Sequence, residues 1–226
     1  MKKMLPVFLI VIISLMFTSG WNFPPPGRVL LTFDDGPHPV YTPQVLQVLQ
    51  NNGVKAVFFV VGSEIERYPD LLAEINRHGH LIGNHTYTHR DITSLTPGEL
   101  REEINRTGQL ITDITGQQPI YFRPPRGRIA AESLATIQQM NLVTVMWDAG
   151  LERRGVTDSA KLVNSLRKRI RHEPDPVLLL HDGDLSGRHD RTPTVKALPL
   201  LINELQARGY GFADPWEKIR LPELEG

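Results

Sequence analysis

The sequence predicts an α/β fold on a mainly parallel sheet, in a single domain and nearer to a barrel than to an open sheet. Strand-like and helix-like segments alternate from Arg28 to Phe212, which implies repeated βα units. Five polar clusters begin where predicted strands end, at Asp34, Asn84-His85, Arg123, Trp147-Asp148 and His181. In parallel α/β folds the carboxyl ends of the strands form one face, and ligands bind there. Five clusters on one rim suit a barrel. The length of 226 residues also matches a single α/β barrel.

Each element has its own signal. Arg28 to Phe33 is a β-type run closed by Asp35-Gly36-Pro37, a turn sequence. Thr42 to Asn52 carries Val45, Leu46, Val48 and Leu49 at helical spacing, with Thr42 as N-cap, Pro43 at the first helical position and Gly53 as stop. Ala56 to Val61 reads as a buried strand, Glu64 to His78 as one helix stopped by Gly79, and Leu81 to Gly83 as a short strand. Thr96-Pro97-Gly98-Glu99 is a capping box that opens a helix to about Thr115. There follow a strand at Ile120–Phe122, a helix at Ala130–Met140 and a strand at Leu142–Trp147. A helix at Asp158–Arg171, a strand at Val177–Leu180, a helix at Thr194–Arg208 and a last strand after Gly209 complete the pattern.

Composition narrows the function classes. Hydrophobic residues make up 40% of the chain and charged residues 22%, enough for a sizeable core and against disorder. Lys and Arg number 25 and Asp and Glu 25, so no net field favours nucleic acid or an anionic membrane. An electroneutral surface fits a neutral substrate such as a sugar. With no cysteine there is no disulfide, thiolate ligand or thiol nucleophile. At the N-terminus Lys2-Lys3 precede an apolar run from Met4 to Phe17 and then Thr18-Ser19-Gly20. This is the layout of a secretory signal peptide over 1–20, with a signal anchor as the alternative; the run is short of the ~20 apolar residues of a spanning helix. Residues 21–27, with Pro24 to Pro26, read as a spacer before a domain at 28–226. Export to the envelope or beyond is expected, with contact to a membrane only through that segment.

The polar clusters carry the chemistry. Asp34 and Asp35 are adjacent, so on a regular strand they point to opposite sides; a turn at Gly36-Pro37 lets one bind metal while the other faces a reacting water. His85 and His89 are four apart, a spacing that can chelate one ion. A third hard ligand from another strand end would leave positions open for water and substrate. Such a set suits zinc, with Fe, Co, Ni or Mn as alternatives. Arg123 precedes Pro124-Pro125, a rigid extended element, and can clamp a carboxylate. His181 ends an apolar strand and can serve as a general acid. His38, His78, His80, His172 and His189 read as surface or loop residues, with His38 and His189 the first candidates for exceptions.

In order and spacing, Thr32-Phe33-Asp34-Asp35-Gly36-Pro37, His85-Thr86-Tyr87-Thr88-His89, Arg123-Pro124-Pro125 and Leu180-His181-Asp182-Gly183 resemble the motifs of the NodB-homology polysaccharide deacetylases, carbohydrate esterase family 4. The resemblance runs from about Arg28 to Phe212. It implies a distorted (β/α) barrel of the NodB-homology type. The activity implied is a metal-dependent hydrolase that removes N-acetyl groups from N-acetylglucosamine residues of a glycan, of the chitin-oligosaccharide type. Peptidoglycan N-acetylglucosamine and acetylxylan are alternative substrates. A catalytically inactive glycan-binding module is the reading from a different class. The implied cofactor is one divalent ion, zinc first and then Co2+, Ni2+, Fe2+ or Mn2+. The implied partner is an acetylated glycan, bound by a monomer.

By the same resemblance, Asp35, His85 and His89 match the metal ligands. Asp34 matches the general base, Arg123 the residue that orients it and His181 the general acid. The backbone N–H of Arg126, after Pro125, matches the oxyanion donor; Leu179 falls where the family lines its acetyl-methyl pocket, and Trp147 opens the fourth motif. Two departures stand out. Arg126 occupies a place that is usually aromatic. In Trp147-Asp148-Ala149-Gly150-Leu151-Glu152-Arg153 a glycine replaces the aspartate that supports the acid histidine. Asp148 is then a candidate for the supporting carboxylate, and Glu152 another.

Overall fold

The computed structural model describes residues 27–170 and 173–217. The segments read as signal peptide and most of the spacer lie outside the described residues, as do Arg171, His172 and 218–226. The strands are β1 (Arg28–Asp34), β2 (Ala56–Val60), β3 (Leu81–Asn84), β4 (Tyr121–Phe122), β5 (Val143–Thr144), β6 (Ala149–Gly150), β7 (Val177–His181) and β8 (Gly211–Phe212). The helices are α1 (Tyr41–Asn51), α2 (Gly62–Arg67), α3 (Pro69–Arg77), α4 (Pro97–Thr115), α5 (Ala131–Gln139), α6 (Ser159–Arg169) and α7 (Thr192–Ala207). Short 3-10 turns lie at Ile92–Ser94 and Pro125–Gly127.

All pairings are parallel, in the order β5-β4-β3-β2-β1-β7-β6, with β8 added beside the start of β1. The two edge strands cannot lie far apart. A flat sheet would separate them by six spacings, about 29 Å. Yet Thr144 and Ala149 are joined by a chain that reaches at most ~18 Å. The sheet must therefore curl. Val145 N–H donates to Phe122 O on β4, and Asp148 N–H donates to Val177 O on β7, so Val145–Trp147 bridges the gap. The outcome is a curled half-barrel closed by an irregular segment, as expected of a distorted (β/α) barrel.

Side-chain alternation with period two sorts the strands onto two apolar faces. Outward, Val29, Leu31, Phe33, Phe58, Val60, Leu178 and Leu180 pack with helix residues such as Val45, Leu49, Ile75, Leu166, Leu198 and Ile202. Inward, Leu30, Val57, Leu81 and Val177 fill the lower barrel together with Phe59, Val145 and Tyr121. Continuing inward along the same strands brings Thr32, Arg123 and Leu179, then Asp34, His85 and His181. Leu30, Thr32 and Asp34 stand beside Val177, Leu179 and His181 in register. The apolar alternation thus delivers the polar residues to the rim.

Several elements differ from expectation. The helix read over 64–78 is two helices, because Pro69 has no N–H to donate and disfavours helical backbone at Tyr68, which lies at φ −137° and ψ 57°. Thr42 is not the N-cap of α1 but a residue inside it, with its hydroxyl turned to Asp182. The strand read over 142–147 stops at Thr144, since the carbonyls of Val145 and Met146 turn to Arg123. Helix α7 starts at Thr192, with Pro193 in its first turn. His80, read as a loop or surface residue, is buried under Phe58, where its Nδ1 accepts from Ala56 N–H. The capping box at Thr96 and Glu99 forms in full, and Gly116 ends α4 at φ 73°.

The β1 and β7 ends touch through their backbones. A Cβ at Gly183 would lie 1.9 Å from Asp35 O, and one at Gly36 2.5 Å from the Asp182 carboxylate. Gly183→Ala is therefore expected to cost about 1–3 kcal/mol or more of stability in urea unfolding, because backbone rather than a movable side chain must give way. A stability equal to the parent's would contradict this close approach.

Candidate active site

Arg123 is fully buried and among the largest side chains in the core. Four of its five N–H groups find acceptors: Nε on Val145 O at 3.0 Å, Nη1 on Thr32 Oγ1 and Asp34 Oδ1 at 2.7 Å each, and Nη2 on Met146 O at 3.1 Å. Its Cζ lies 4.1 Å from the Phe59 ring centroid. Burial pulls its pKa below the usual arginine value, and the charge of Asp34 opposes that. Asp34 thereby has Oδ1 occupied while Oδ2 faces His85 Nε2 at 3.7 Å.

Asp35, His85 and His89 each present one ligand atom within 4.8 Å of the others. Asp35 Oδ1 lies 3.6 Å from His85 Nε2 and 3.2 Å from His89 Nε2, and it is buried with no hydrogen-bond partner. His85 Nδ1 donates to Arg123 O at 2.7 Å, which leaves the Nε2 lone pair directed at the cluster. Burial, aided by the neighbouring His85, pushes the pKa of His89 down to about 4, so it is a neutral donor at pH 7. An orphaned carboxylate oxygen and two imidazole lone pairs are what a divalent ion needs, and the residues fit one. The His85–His89 spacing is held in a loop rather than on a helix: Thr86 and His89 have φ of 65° and 57°. Glu103, from α4, fixes that loop by accepting from Tyr87 N–H, Thr88 N–H and Thr88 Oγ1–H at 2.9, 2.7 and 2.6 Å.

His181 faces Asp34 across the β1–β7 register. Its Nδ1 lies 3.3 Å from Glu152 Oε2, while Glu152 Oε1 accepts from His181 N–H at 3.0 Å and from Thr194 Oγ1–H at 2.8 Å. Burial alone would lower the pKa of His181, but the Glu152 charge outweighs it and holds the imidazole up at about 9. The supporting carboxylate is therefore Glu152. Asp148, the other candidate, accepts from Val177 N–H at the foot of β7, at the far end of that strand from His181. Leu179 lies one inward position below His181. Trp147 packs on the Pro125–Gly127 turn, where a Cβ at Gly127 would meet the indole at 2.6 Å. Pro125 is buried, and Arg126 is exposed at φ 59°.

Residues 22–145 match the family model described as polysaccharide deacetylase. The chain belongs to the polysaccharide deacetylase family. A peptidoglycan-N-acetylglucosamine deacetylase of Bacillus cereus is 34% identical over 190 residues, which is 82% of the chain and 66% of that protein. A chitooligosaccharide deacetylase of Bradyrhizobium is 36% identical over 190 residues, 80% of the chain and 86% of the relative. The crystal structure of the Bc1960 peptidoglycan N-acetylglucosamine deacetylase superposes with a TM-score of 0.77 at 32% identity, covering 82% of the chain and 85% of that one. The fold is thus that of deacetylases that hydrolyse N-acetyl groups.

The structure brings Asp34, Asp35, His85, His89, Arg123 and His181 together at one rim. Sequence reasoning passed over Thr32, Glu103 and Arg191. Glu103 sits among the ordinary charges of a surface helix, and Thr32 looks like any β-former. For Arg191, no local pattern distinguishes it from the neighbouring loop arginines. Glu152→Gln is expected to lower the titration midpoint of His181 by about 1–3 pH units in NMR. The folded value lies above the ordinary 6.5, so stability from this pair is whole below pH 6.5 and lost as pH rises through about 9. An unmoved midpoint would overturn the pairing.

Proposed function

We propose that the chain is an exported, metal-dependent glycan deacetylase that removes N-acetyl groups from N-acetylglucosamine residues. One observation carries this reading. Asp34, clamped by Arg123 through one oxygen, turns its free oxygen toward the Asp35-His85-His89 cluster, with the Glu152-backed His181 beside it. That is a base, a metal triad and an acid at one rim.

When bound, a divalent ion, zinc by the donor set, supplies Lewis acidity to the amide carbonyl and to water. Asp35, His85 and His89 hold it. Asp34 Oδ2 takes the proton of the attacking water, and Arg123 keeps that carboxylate oriented and charge-balanced. The backbone N–H of Arg126 donates to the developing oxyanion. His181, protonated at neutral pH, gives its proton to the departing nitrogen; without that proton the amine would remain bonded. Leu179 and Trp147 offer the acetyl methyl an apolar wall.

The leading substrate is a chitin-type oligosaccharide. Arg126 favours a second reading. An exposed guanidinium beside the catalytic loop suits a glycan whose attached groups bear carboxylates, as the stem peptides of peptidoglycan do. Acetate release from chitooligosaccharides and from peptidoglycan fragments, with and without chelator, tests both. Metal-dependent acetate from either supports the enzyme; none from any N-acetyl glycan overturns it. Arg126→Ala should raise KM for the carboxylate-bearing substrate alone.

Asp34→Asn is expected to cut kcat by about 10²–10⁴ and keep one metal ion per chain by elemental analysis. His85→Ala or His89→Ala should lose the metal as well. An Asp34→Asn protein with no metal would break the division of labour between the two aspartates.

A further inference from the structure

Arg191 stands at the start of α7, where none of the motifs falls. Its Nε donates to Gly183 O at 2.8 Å, and its Nη2 lies 3.5 Å from Asp35 Oδ2. Both side chains are only 12% exposed, so this is not a solvated surface pair of little consequence. The other oxygen of Asp35, Oδ1, faces the two imidazoles. The arrangement parallels that of Arg123 on Asp34: each of two adjacent carboxylates has one oxygen against a guanidinium and the other open to the site.

The same guanidinium joins two loops. Asp35 follows β1, and Gly183 lies two residues past His181 on β7. Asp35 has φ 72°, a backbone conformation that persists in a non-glycine residue only when its surroundings hold it. A planar fork can meet a carboxylate and a carbonyl at once, whereas an ammonium is a point charge.

We propose that Arg191 is a positioning residue that holds Asp35 by Oδ2, so that the carboxylate offers a single oxygen to the metal and this ligand is tied to the loop that bears His181. The assignment rests on the metal-dependent reading above. Groups that orient metal ligands typically change affinity by about 10–100-fold when removed.

The test uses Co2+ as probe on the full chain, with Arg191→Gln and Arg191→Lys variants. Affinity is read by competition with a chromophoric chelator, coordination by the visible ligand-field spectrum, and folding by circular dichroism of the metal-free protein. Arg191→Gln is expected to weaken Co2+ binding about 10-fold or more and to alter the spectrum, because the freed Oδ2 can join the coordination. Arg191→Lys, which keeps the charge and the packing of the stem, should fall between. A folded variant with the parent's affinity and spectrum overturns the assignment. Should Arg191→Gln not fold, the Lys variant decides by the same two readings. A parent that takes up no Co2+ sinks the metal-dependent reading itself, and this assignment with it.

Discussion

The buried ion pair between Arg123 and Asp34 is the constraint on which the rest of the site depends. A guanidinium with no exposed surface, in the middle of a barrel lined by Leu, Val and Phe, would be prohibitive if unpaired. Its donors explain features that would otherwise be unrelated. Val145 O and Met146 O turn inward to accept from it, so β5 stops at Thr144 and the barrel closes through an irregular segment. Thr32 contributes a hydroxyl where a strand core would usually place an aliphatic side chain, and that hydroxyl donates in turn to Leu178 O at 2.7 Å. Breaking such a buried pair by removing one partner costs about 3–5 kcal/mol, much of it from the charge left behind.

Four carboxylates crowd the same rim, and each is compensated differently. Asp34 has Arg123, Asp35 has Arg191, and Glu152 has His181. Among the described residues Asp182 has no cation within ion-pair distance. Burial, with the charges of Asp35 and Asp34, raises its pKa to about 7 against the lowering effect of the Thr42 hydroxyl, 2.5 Å away. The site thus mixes guanidinium, imidazolium and a carboxyl whose pKa is raised well above the usual carboxylate range.

Backbone strain is concentrated in the same place. Of five non-glycine residues with positive φ among the described residues, four are Asp35, Thr86, His89 and Arg126, all at the rim. Conformations of this kind cost of order 1–3 kcal/mol each and persist where neighbours over-determine them. Here the neighbours are named: Glu103 on the His85–His89 loop, Gly183 against Asp35, and Trp147 on the Pro125–Gly127 turn. The strained residues belong to the loops, and the rigid strands beneath them set where those loops begin.

By itself, the sequence determined the alternation of strands and helices, the capped start of α4 and the placement of the clusters at Asp34, Asn84-His85, Arg123 and His181 at strand ends, while Trp147-Asp148 follows an irregular segment instead. These are local properties: period-two burial, turn chemistry and helix capping are written in neighbouring residues. The order of the clusters also carried the family, and with it the roles proposed for Asp34, Asp35, His85, His89, Arg123 and His181. Only the tertiary structure decided which carboxylate backs His181, that Arg123 is buried rather than exposed, and that Glu103 and Arg191 contact the loops of the site. Each of those contacts joins residues far apart in the chain, and their partners are chosen by strand register and barrel curvature. No neighbouring residue records that geometry, because it exists only once the sheet has closed.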